Sequence, residues 1–420
     1  MLVVKMFDTE SRTAAAGPPT GHEVRRGRAA LLILLGGLSA MAPFCIDMYL
    51  PALPRISAEL HSNASSVQTT LTACLVGLGV GQLIGGPISD VRGRRGPLLV
   101  GMTVFALASL VCAFAPSVGV LVGARLVQGL AGSTGIVIAN AVVRDLFTGD
   151  TAARYYSRLM VISALGPVLA PIVGAQLLRV VSWRGIFVVL AVLGAVFVIG
   201  VLAILGETLP GEQRVSGSPG QLRAGLRALV ADRTFVGVLC VAGIAFGTLF
   251  AYISGSPYLL QGRFGASAQL FSLLFALNAI GIATAGWING RVVGRVRPQH
   301  MLSWGIGGLV GAGAGLLVVA LTGTSALVAV CVPLFVLAFS IGLLLPNCMT
   351  LGVAEAVNAG SAASLIGLTQ YVFAGIVAPF AGISNGHSAL PMAVLVTSLA
   401  VVAVAVRPLV RKQEVEGSGK

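Results

Sequence analysis

Long apolar stretches alternate with short polar ones along almost the whole chain. A helix needs about 20 mostly apolar residues to cross the hydrocarbon core of a bilayer. Twelve segments meet this condition, and we predict that each forms a membrane-spanning helix: Ala29–Leu50, Val67–Ile88, Pro97–Ala115, Val118–Val142, Tyr156–Leu177, Gly185–Leu205, Phe235–Ser254, Leu270–Asn289, Met301–Leu321, Ser325–Leu345, Ser361–Ile383 and Ala389–Val406. The predicted fold class is therefore an all-α integral membrane protein with 12 transmembrane helices.

The polar intervals divide these segments into two sets of six. The longest interval contains a Gly-Ser-Pro-rich stretch typical of a flexible linker, followed by Leu222, Leu226 and Leu229 at the spacing of a short surface helix. We predict a cytoplasmic tail at 1–28, a six-helix half at 29–205, a cytoplasmic linker at 206–233, a second half at 234–406 and a cytoplasmic tail at 407–420. Most of the 27 Lys and Arg then lie in the tails, the linker and alternate loops, which indicates that both termini are cytoplasmic.

Composition supports a membrane protein and narrows its chemistry. The 420 residues are 56% hydrophobic and 10% charged, with a mean hydropathy of +0.95, whereas soluble domains carry about 25% charged residues. Basic loops beside lipid explain the net charge of +13, so we expect a lipid bilayer and not nucleic acid as the partner. The three lysines lie in no phosphate-binding motif, and no His, Cys, Asp or Glu cluster has catalytic or metal-ligand spacing. We expect no enzyme activity, no metal or other cofactor, and energy from a proton or other gradient.

The densest group of charges lies between the second and third segments, where residues 86–96 read Gly-Pro-Ile-Ser-Asp-Val-Arg-Gly-Arg-Arg-Gly. Apolar runs on both sides predict a very short cytoplasmic loop, in which glycines let the helices approach. Asp90 can accept hydrogen bonds there from arginines or from a neighbouring helix N-terminus. A degenerate repeat of this sequence, with similar glycine and arginine positions but no counterpart of Asp90, occurs at Gly286–Arg295. The two copies indicate a repeated six-helix unit.

Glycines also recur four residues apart within two predicted helices. One row is Gly77, Gly81 and Gly85, and the other is Gly307, Gly311 and Gly315. Small residues at this spacing let helices approach closely in lipid. We interpret both rows as packing surfaces and not as parts of a binding site.

Further motifs occur in a fixed order along the chain. They are the loop 86–96, Ile46-Asp47-Met48-Tyr49-Leu50-Pro51-Ala52-Leu53-Pro54, Arg125-x-x-Gln128-Gly129 with Arg144-Asp145, Gly166-Pro167 with Pro171 and Gly174, Trp183-Arg184-Gly185-Ile186-Phe187, Glu207-Thr208-Leu209, and residues 250–258, Phe-Ala-Tyr-Ile-Ser-Gly-Ser-Pro-Tyr. Together they resemble the major facilitator superfamily, and within it the Bcr/CflA (bicyclomycin and chloramphenicol resistance) branch of twelve-span drug/proton antiporters. The resemblance covers nearly the whole chain and implies the major facilitator fold and transport by alternating access in a bacterial inner membrane.

Two positions depart from the pattern of the superfamily. Val91 stands where many members have a basic residue, and Arg92 follows one place later. Ala175 replaces the second glycine of the usual pair in the fifth span. We expect the first change to soften the charge network of the loop and the second to alter helix packing.

Asp47 is the acid that lies well within a predicted span, where an ionisable group costs at least about 2.5 kcal/mol. Arg125 lies in the fourth span, which runs in the opposite direction, so both residues fall in the outer half of the bilayer and we expect them to pair. Burial favours the neutral acid and a nearby arginine favours the carboxylate. We interpret Asp47 as the proton carrier and Arg125 as its electrostatic partner. A fixed structural ion pair and an outer helix-end position for Asp47 are the alternatives.

The resemblance also implies a gate at the cytoplasmic helix ends and an antiporter motif in the fifth span. The predicted gate residues are Gly86, Asp90, Arg92, Gly93, Arg94, Arg95, Arg144 and Asp145, and the antiporter residues are Gly166, Pro167, Pro171 and Gly174. We expect Arg144 and Asp145 to join Asp90 and Arg94, and their pairing to favour the outward-facing state by closing the inner side. Arginines that only set topology are the alternative.

Substrate contacts follow from family analogy and helical position. They are Tyr49, Tyr252, Asn278, Gln370 and Tyr371, for which interhelical hydrogen bonds are an equally good interpretation. The resulting hypothesis is a monomeric, proton-coupled exporter of small amphipathic antibiotics such as chloramphenicol or bicyclomycin. Export of an endogenous metabolite or a self-made antibiotic is the alternative. A channel, receptor or membrane-embedded enzyme fits the two-half organisation less well.

Overall fold

The computed structural model describes residues 21–211, 229–292, 294–354, 359–383 and 388–411. Most of the predicted linker and parts of both predicted tails lie outside these ranges. The regular elements of the described residues are helices, which we number by span. They are α1 in three segments (Gly21–Ser39, Met41–Asp47 and Leu53–Glu59), α2 (Ala64–Arg92), α3 (Arg95–Ala113), α4 (Val118–Leu146), α5 (Gly149–Leu177), α6 (Trp183–Ile204), α7 (Arg233–Pro257), α8 (Ala268–Val292), α9 (Pro298–Thr322), α10 (Leu327–Ala354), α11 (Ala359–Val377) and α12 (Leu390–Val406).

The helices have the lengths that a membrane requires. Within the described residues, ten are long and apolar enough to cross a bilayer, and α1 makes an eleventh if its bent segments count as one span. The remaining one, α11 with the turn that follows it, is apolar over the shorter stretch Leu365–Ala381. The all-α fold of twelve membrane helices is confirmed.

The two halves repeat the same packing. Helix α2 lies along α4 and α3 lies against α6, as α8 lies along α10 and α9 against α12 in the second half. Between the halves, α2 packs on α11 and α5 packs on α8. This arrangement leaves the broken α1 and its counterpart α7 facing each other near the middle of the bundle.

Helix α1 is longer and less regular than the sequence predicted. It continues as far as Glu59 and bends by 40° at Ala40. Pro43 removes one N–H from the helical ladder near the bend, and Pro51 removes another where the helix is irregular. The residues after Asp47 unwind briefly before the helix resumes at Leu53. Asp47 therefore lies twelve residues before the end of α1 at Glu59, whereas the predicted span placed it three residues from its end at Leu50.

The connection between α2 and α3 is shorter than the predicted loop. Helix α2 continues to Arg92 and α3 begins at Arg95, so the first part of residues 86–96 is helical. Gly93 has a φ of 88°, a backbone conformation that glycine adopts without strain. This residue makes the reversal possible in two residues.

The first predicted glycine row packs as expected, but in the second row only Gly315 does, where a Cβ would overlap the Pro333 ring of α10. A Cβ on Gly77 or Gly81 would overlap the α4 backbone near Leu130, and one on Gly129 would overlap the carbonyl of Cys74. By contrast, Gly307 and Gly311 have nothing within 4 Å of a built Cβ. Their face of α9 points outward, and the neighbouring helices are met instead by other glycines of α9, namely Gly305, Gly308 and Gly313.

Candidate functional site

Asp47 is the last residue before α1 unwinds, and the residue is 5% exposed. Tyr252 of α7, in the second half of the bundle, lies near this residue. The Tyr252 hydroxyl accepts a hydrogen bond of 2.9 Å from the amide of Asn278 on α8. Two of the predicted substrate contacts are therefore bonded to each other, and one of them, Tyr252, lies near the predicted proton carrier.

Arg125 lies inside the first half and is fully buried. Its Nη1 donates to the Cys45 sulfur at 3.2 Å and to the Gln128 side-chain oxygen at 2.5 Å. The guanidinium group also lies 4.4 Å from the centre of the Tyr49 ring and 5.7 Å from that of Phe187. A thiol, an amide and two aromatic rings thus surround this cation.

The expected ion pair between Asp47 and Arg125 is not formed, and the prediction of that pair is wrong for this conformation. Within the described residues, the ion pairs of up to 4 Å involve other acids. The reason is helical geometry, because Cys45 and Asp47 are two residues apart and therefore point about 200° away from each other. Arg125 binds the Cys45 side of α1, which leaves Asp47 on the opposite side.

The other predicted substrate contacts separate into two places. Tyr49 does not line the interface, since it is fully buried beneath Arg125 and its hydroxyl lies 3.0 Å from that of Thr70. Tyr371 does face the other half, because Gln82 of α2 donates to its hydroxyl at 3.4 Å. Gln370, the preceding residue on α11, is partly exposed. Tyr252, Asn278 and Tyr371 therefore remain as polar groups at the interface.

The antiporter motif of α5 packs directly against α1 on both sides of Asp47. A Cβ on Gly166 would overlap the Pro43 ring, and one on Gly174 would overlap the carbonyl of Met48. Pro167 and Pro171 lie inside the same helix, and the Pro171 carbonyl accepts a 2.9 Å hydrogen bond from Ser272 of α8. The motif therefore positions the acid-bearing segment and also contacts the second half.

The outer ends of the two halves are joined by a set of hydrogen bonds, which we call the outer closure. Tyr258, in the wide turn after α7, lies 2.8 Å from the Ser57 hydroxyl and donates to the Leu53 carbonyl at 3.3 Å. Gln261 donates to the Pro51 carbonyl at 3.2 Å. The same end includes side-chain donors and carbonyl acceptors in four further pairs: Ser65 and Pro379, Gln68 and Ser254, Thr72 and Gly375, Gln269 and Ala175.

Most acceptors in the outer closure are main-chain carbonyl groups that their own helices leave available. Pro379 has no N–H, so the carbonyl of Gly375 four residues earlier has no helical partner and instead accepts from Thr72 at 2.9 Å. The unwound part of α1 exposes its carbonyls in the same way. The sequence motif Leu50–Pro54 therefore supplies acceptors as well as placing Asp47.

At the opposite end of the bundle, the predicted gate residues form a compact cluster around Arg94. This arginine is only 2% exposed, and it donates to Asp90 at 2.6 Å, to Asp145 at 2.8 Å and to Ser89 at 2.8 Å. Arg144 lies 3.8 Å from Asp90 and is more exposed. The predicted meeting of α2 and α4 charges is confirmed.

Glu207 also belongs to this cluster, although the sequence interpretation did not include it. It accepts from the backbone N–H of Arg94 at 2.7 Å and of Arg95 at 3.3 Å, at the start of α3. Carboxylates are favoured at helix N-termini, and Glu207-Thr208-Leu209 was already visible as a motif. Burial lowers the pKa of Arg94, but hydrogen bonds to Asp145 and Asp90 outweigh it and raise the pKa above the usual value.

The location of this cluster corrects the expected role of the gate. Its members all belong to the first half, so their pairing does not by itself close the space between the halves. Within the described residues, no hydrogen bond or ion pair joins this cluster to the second half. The corresponding place in the second half holds a neutral pair, in which Asn347 donates to Asn289 at 2.7 Å.

Comparison with known proteins agrees with this architecture. Residues 35–379 match the Major Facilitator Superfamily. The uncharacterised transporter YdgK of Bacillus subtilis is 40% identical, over 91% of this chain and 95% of its own length. The bicyclomycin resistance protein homologue of Haemophilus influenzae is 32% identical over 64% and 68%, and a chloramphenicol resistance protein of Pseudomonas aeruginosa is 36% identical over 70% and 69%.

A solved structure shows the same fold at low sequence identity. A bacterial homologue of the human lysosomal transporter Spinster superposes with a TM-score of 0.64 at 15% identity, over 91% of this chain and 95% of the other. The match extends over both halves of the chain. The chain belongs to the Major Facilitator Superfamily, a superfamily of multi-pass membrane transporters, and to its branch of bicyclomycin and chloramphenicol resistance proteins.

Proposed function

We propose that this protein exports small amphipathic antibiotics, such as chloramphenicol or bicyclomycin, in exchange for protons. The observation that carries the proposal is the placement of Asp47. Asp47 of the first half is buried, lies near Tyr252 of the second half, and has no ion pair or hydrogen bond to another described residue. An acid in such a place is available to gain and lose a proton as the halves move.

The chemistry of exchange follows from the surroundings of Asp47. In a dry interface the neutral acid is favoured, because burial penalises the charged form. When water or a polar substrate reaches the interface, the carboxylate is stabilised and the proton is released. A substrate that needs the ionised site and a proton that neutralises it then compete for one residue, which couples their movements in opposite directions.

The interface also suits the proposed class of substrate. Tyr252 and Tyr371 offer aromatic surfaces, while Asn278 and Gln370 offer amide groups that bind hydroxyl and carbonyl oxygens. Weakly polar ligands bind in mostly apolar sites with a few placed polar groups. The names of two relatives, a chloramphenicol resistance protein and a bicyclomycin resistance homologue, support the same class. We place the protein, as a monomer, in a bacterial inner membrane.

The test is transport in proteoliposomes that hold the purified chain and carry an imposed pH difference. We expect labelled chloramphenicol or bicyclomycin to be concentrated against its gradient, and collapse of the pH difference by a protonophore to abolish the concentration. Asp47→Asn should remove proton-driven transport while drug exchange at equal pH continues. As a matched control, Asp232→Asn should leave transport unchanged, because asparagine caps the start of α7 as well as aspartate does.

Two results would contradict the proposal. Concentration of drug that survives the protonophore would exclude proton coupling, and full activity of Asp47→Asn would exclude this residue as the carrier. Export of an endogenous metabolite or a self-made antibiotic is the alternative. It would be favoured if neither drug were moved while extracts of the producing cell stimulated proton release from the same vesicles.

A further inference from the structure

A deep apolar groove lies between α2 and α3 on the side of the bundle that the transport site does not use. Helices α2 and α3 both pack along α4 but touch each other little, and the gap has a volume of about 690 Å³. Gly81, Gly85 and Gly101 line the groove where its walls meet α4, and Ile84, Ile88 and Val100 make its lining apolar.

The groove opens toward the bilayer and not toward the space between the halves. The face of α2 that meets the second half carries Gly79 and Gln82, which contact Tyr371 of α11. At 100° per residue, Ile84 and Ile88 lie about 140° and 180° around the helix from Gly79. Both isoleucines are exposed, so what fills the groove comes from the membrane.

The length of the groove fits one leaflet. The groove runs along α2 from Arg92, at its cytoplasmic mouth, to Gly81, at its deep end within the membrane. These eleven residues rise through about 16 Å. Half of a hydrocarbon core of about 30 Å is about 15 Å. The groove therefore follows the depth that an acyl chain of the cytoplasmic-side leaflet occupies.

Arg92 gives the mouth of the groove a positive charge. It lines the groove, is exposed, and makes no hydrogen bond or ion pair with a described residue. The nearby acids are engaged elsewhere, because Asp90 and Asp145 bind Arg94. The departure from the superfamily pattern at Val91 and Arg92 creates this arrangement, since Val91 joins the apolar lining and the cation moves one position around the helix.

We infer that this groove binds one anionic phospholipid of the cytoplasmic-side leaflet, with an acyl chain between α2 and α3 and the phosphate group at Arg92. The inference does not depend on the proposed transport reaction. Apolar lining, leaflet depth and an unpaired cation at the headgroup level together match a lipid and not a soluble anion. An anionic headgroup near one basic residue gains enough to raise affinity about fivefold.

The test is native mass spectrometry of the purified full-length chain, titrated separately with dioleoyl phosphatidylglycerol and dioleoyl phosphatidylcholine. We expect saturable binding with a preference for phosphatidylglycerol. Arg92→Gln should lower the affinity for phosphatidylglycerol about fivefold and leave that for phosphatidylcholine unchanged. Gly85→Leu should weaken both lipids, because a Cβ at Gly85 meets only Thr134 at ordinary contact distance and a longer side chain extends into the groove.

The control is Arg295→Gln, which removes an exposed arginine from the corresponding connection in the second half and should change neither affinity. The inference is overturned if Arg92→Gln binds phosphatidylglycerol as the native chain does, or if Gly85→Leu binds both lipids normally. It is also overturned if chloramphenicol displaces phosphatidylglycerol from the native chain, since the groove would then hold the drug. Equal melting temperatures of the variants exclude misfolding as the cause of lost binding.

Discussion

Arg125 shows how this chain places a full positive charge in a region without water. Its Nη1 binds the Cys45 sulfur and the Gln128 oxygen, and its plane lies over the Tyr49 ring. Planar guanidinium groups stack on aromatic rings and lysine does not reproduce this geometry. The sequence placed Arg125 and Asp47 inside the membrane. Whether Asp47 points toward Arg125 depends on the orientation of α1 about its axis, because Cys45 and Asp47 point about 200° apart. Span boundaries do not specify that orientation.

At this scale we predict that Arg125→Lys destabilises the protein far more than Asp47→Asn does. The lysine variant loses the stacking and leaves Gln128 without its donor, at a cost of about 2–4 kcal/mol in unfolding free energy. Asp47→Asn breaks no ion pair and should melt at or above the native temperature. Thermal unfolding in detergent measures both. Equal destabilisation of the two variants would instead indicate that the residues act as one ion pair.

At the scale of single helices, the sequence predicted the presence of each span better than the residues at which it begins and ends. All twelve spans are present, but α1 extends nine residues beyond its predicted end at Leu50 and α2 continues four residues beyond Ile88. A predicted span ends at the first charged residues, whereas the helix continues for as long as its backbone hydrogen bonds do. Glu207 was missed for a similar reason, because a cap on α3 from a residue 112 positions away leaves no local signal.

We predict that Glu207→Gln lowers the unfolding free energy by about 1 kcal/mol, because one amide oxygen cannot replace a carboxylate at the N-terminus of α3. Glu207→Ala should cost more, since it leaves the N–H groups of Arg94 and Arg95 without this acceptor. Chemical or thermal unfolding of the three proteins gives the order. An alanine variant as stable as the native chain would show that the contact contributes nothing.

The close approach of α2 to α4 and the open face of α9 give a second prediction for helices. Gly129→Ala should destabilise the protein by about 1–3 kcal/mol, because its Cβ would overlap the Cys74 backbone and force α2 and α4 apart. Gly307→Ala places a methyl group in open space and should be neutral or stabilising by about 0.5–1 kcal/mol. The melting temperatures of the two variants, compared with that of the native chain, test this prediction. A loss of stability on Gly307→Ala would show that this face of α9 is in fact covered.

For the whole molecule, the division into two six-helix halves follows from the pattern of apolar segments and from the repeat of Gly86–Gly96 at Gly286–Arg295. The sequence does not show which end of the interface is closed. That property rests on contacts such as Tyr258 with Ser57, which are 201 residues apart, and on Gln68 with Ser254. Such pairs involve common polar residues whose partners cannot be read from spacing.

We predict that Tyr258→Phe shifts the protein toward the state in which the outer ends separate. The change removes contacts to both Ser57 and Leu53, which at about 1 kcal/mol each changes the ratio of the states about thirtyfold. Spin labels on Arg179→Cys and Ser325→Cys report the distance between the outer ends. Tyr156→Phe, which removes one bond to Asn140 within the same half, is the control and should leave the distance distribution unchanged.

The acceptors of the outer closure are mostly carbonyl groups, such as those of Pro51, Gly375 and Ser254. A carbonyl is the same whatever side chain its residue bears. Substitutions of neighbouring side chains can therefore change which substrates the cavity binds while the hydrogen bonds of the outer closure are kept. Related chains can thus evolve new substrate specificities while they keep the same contacts between the outer ends of the two halves.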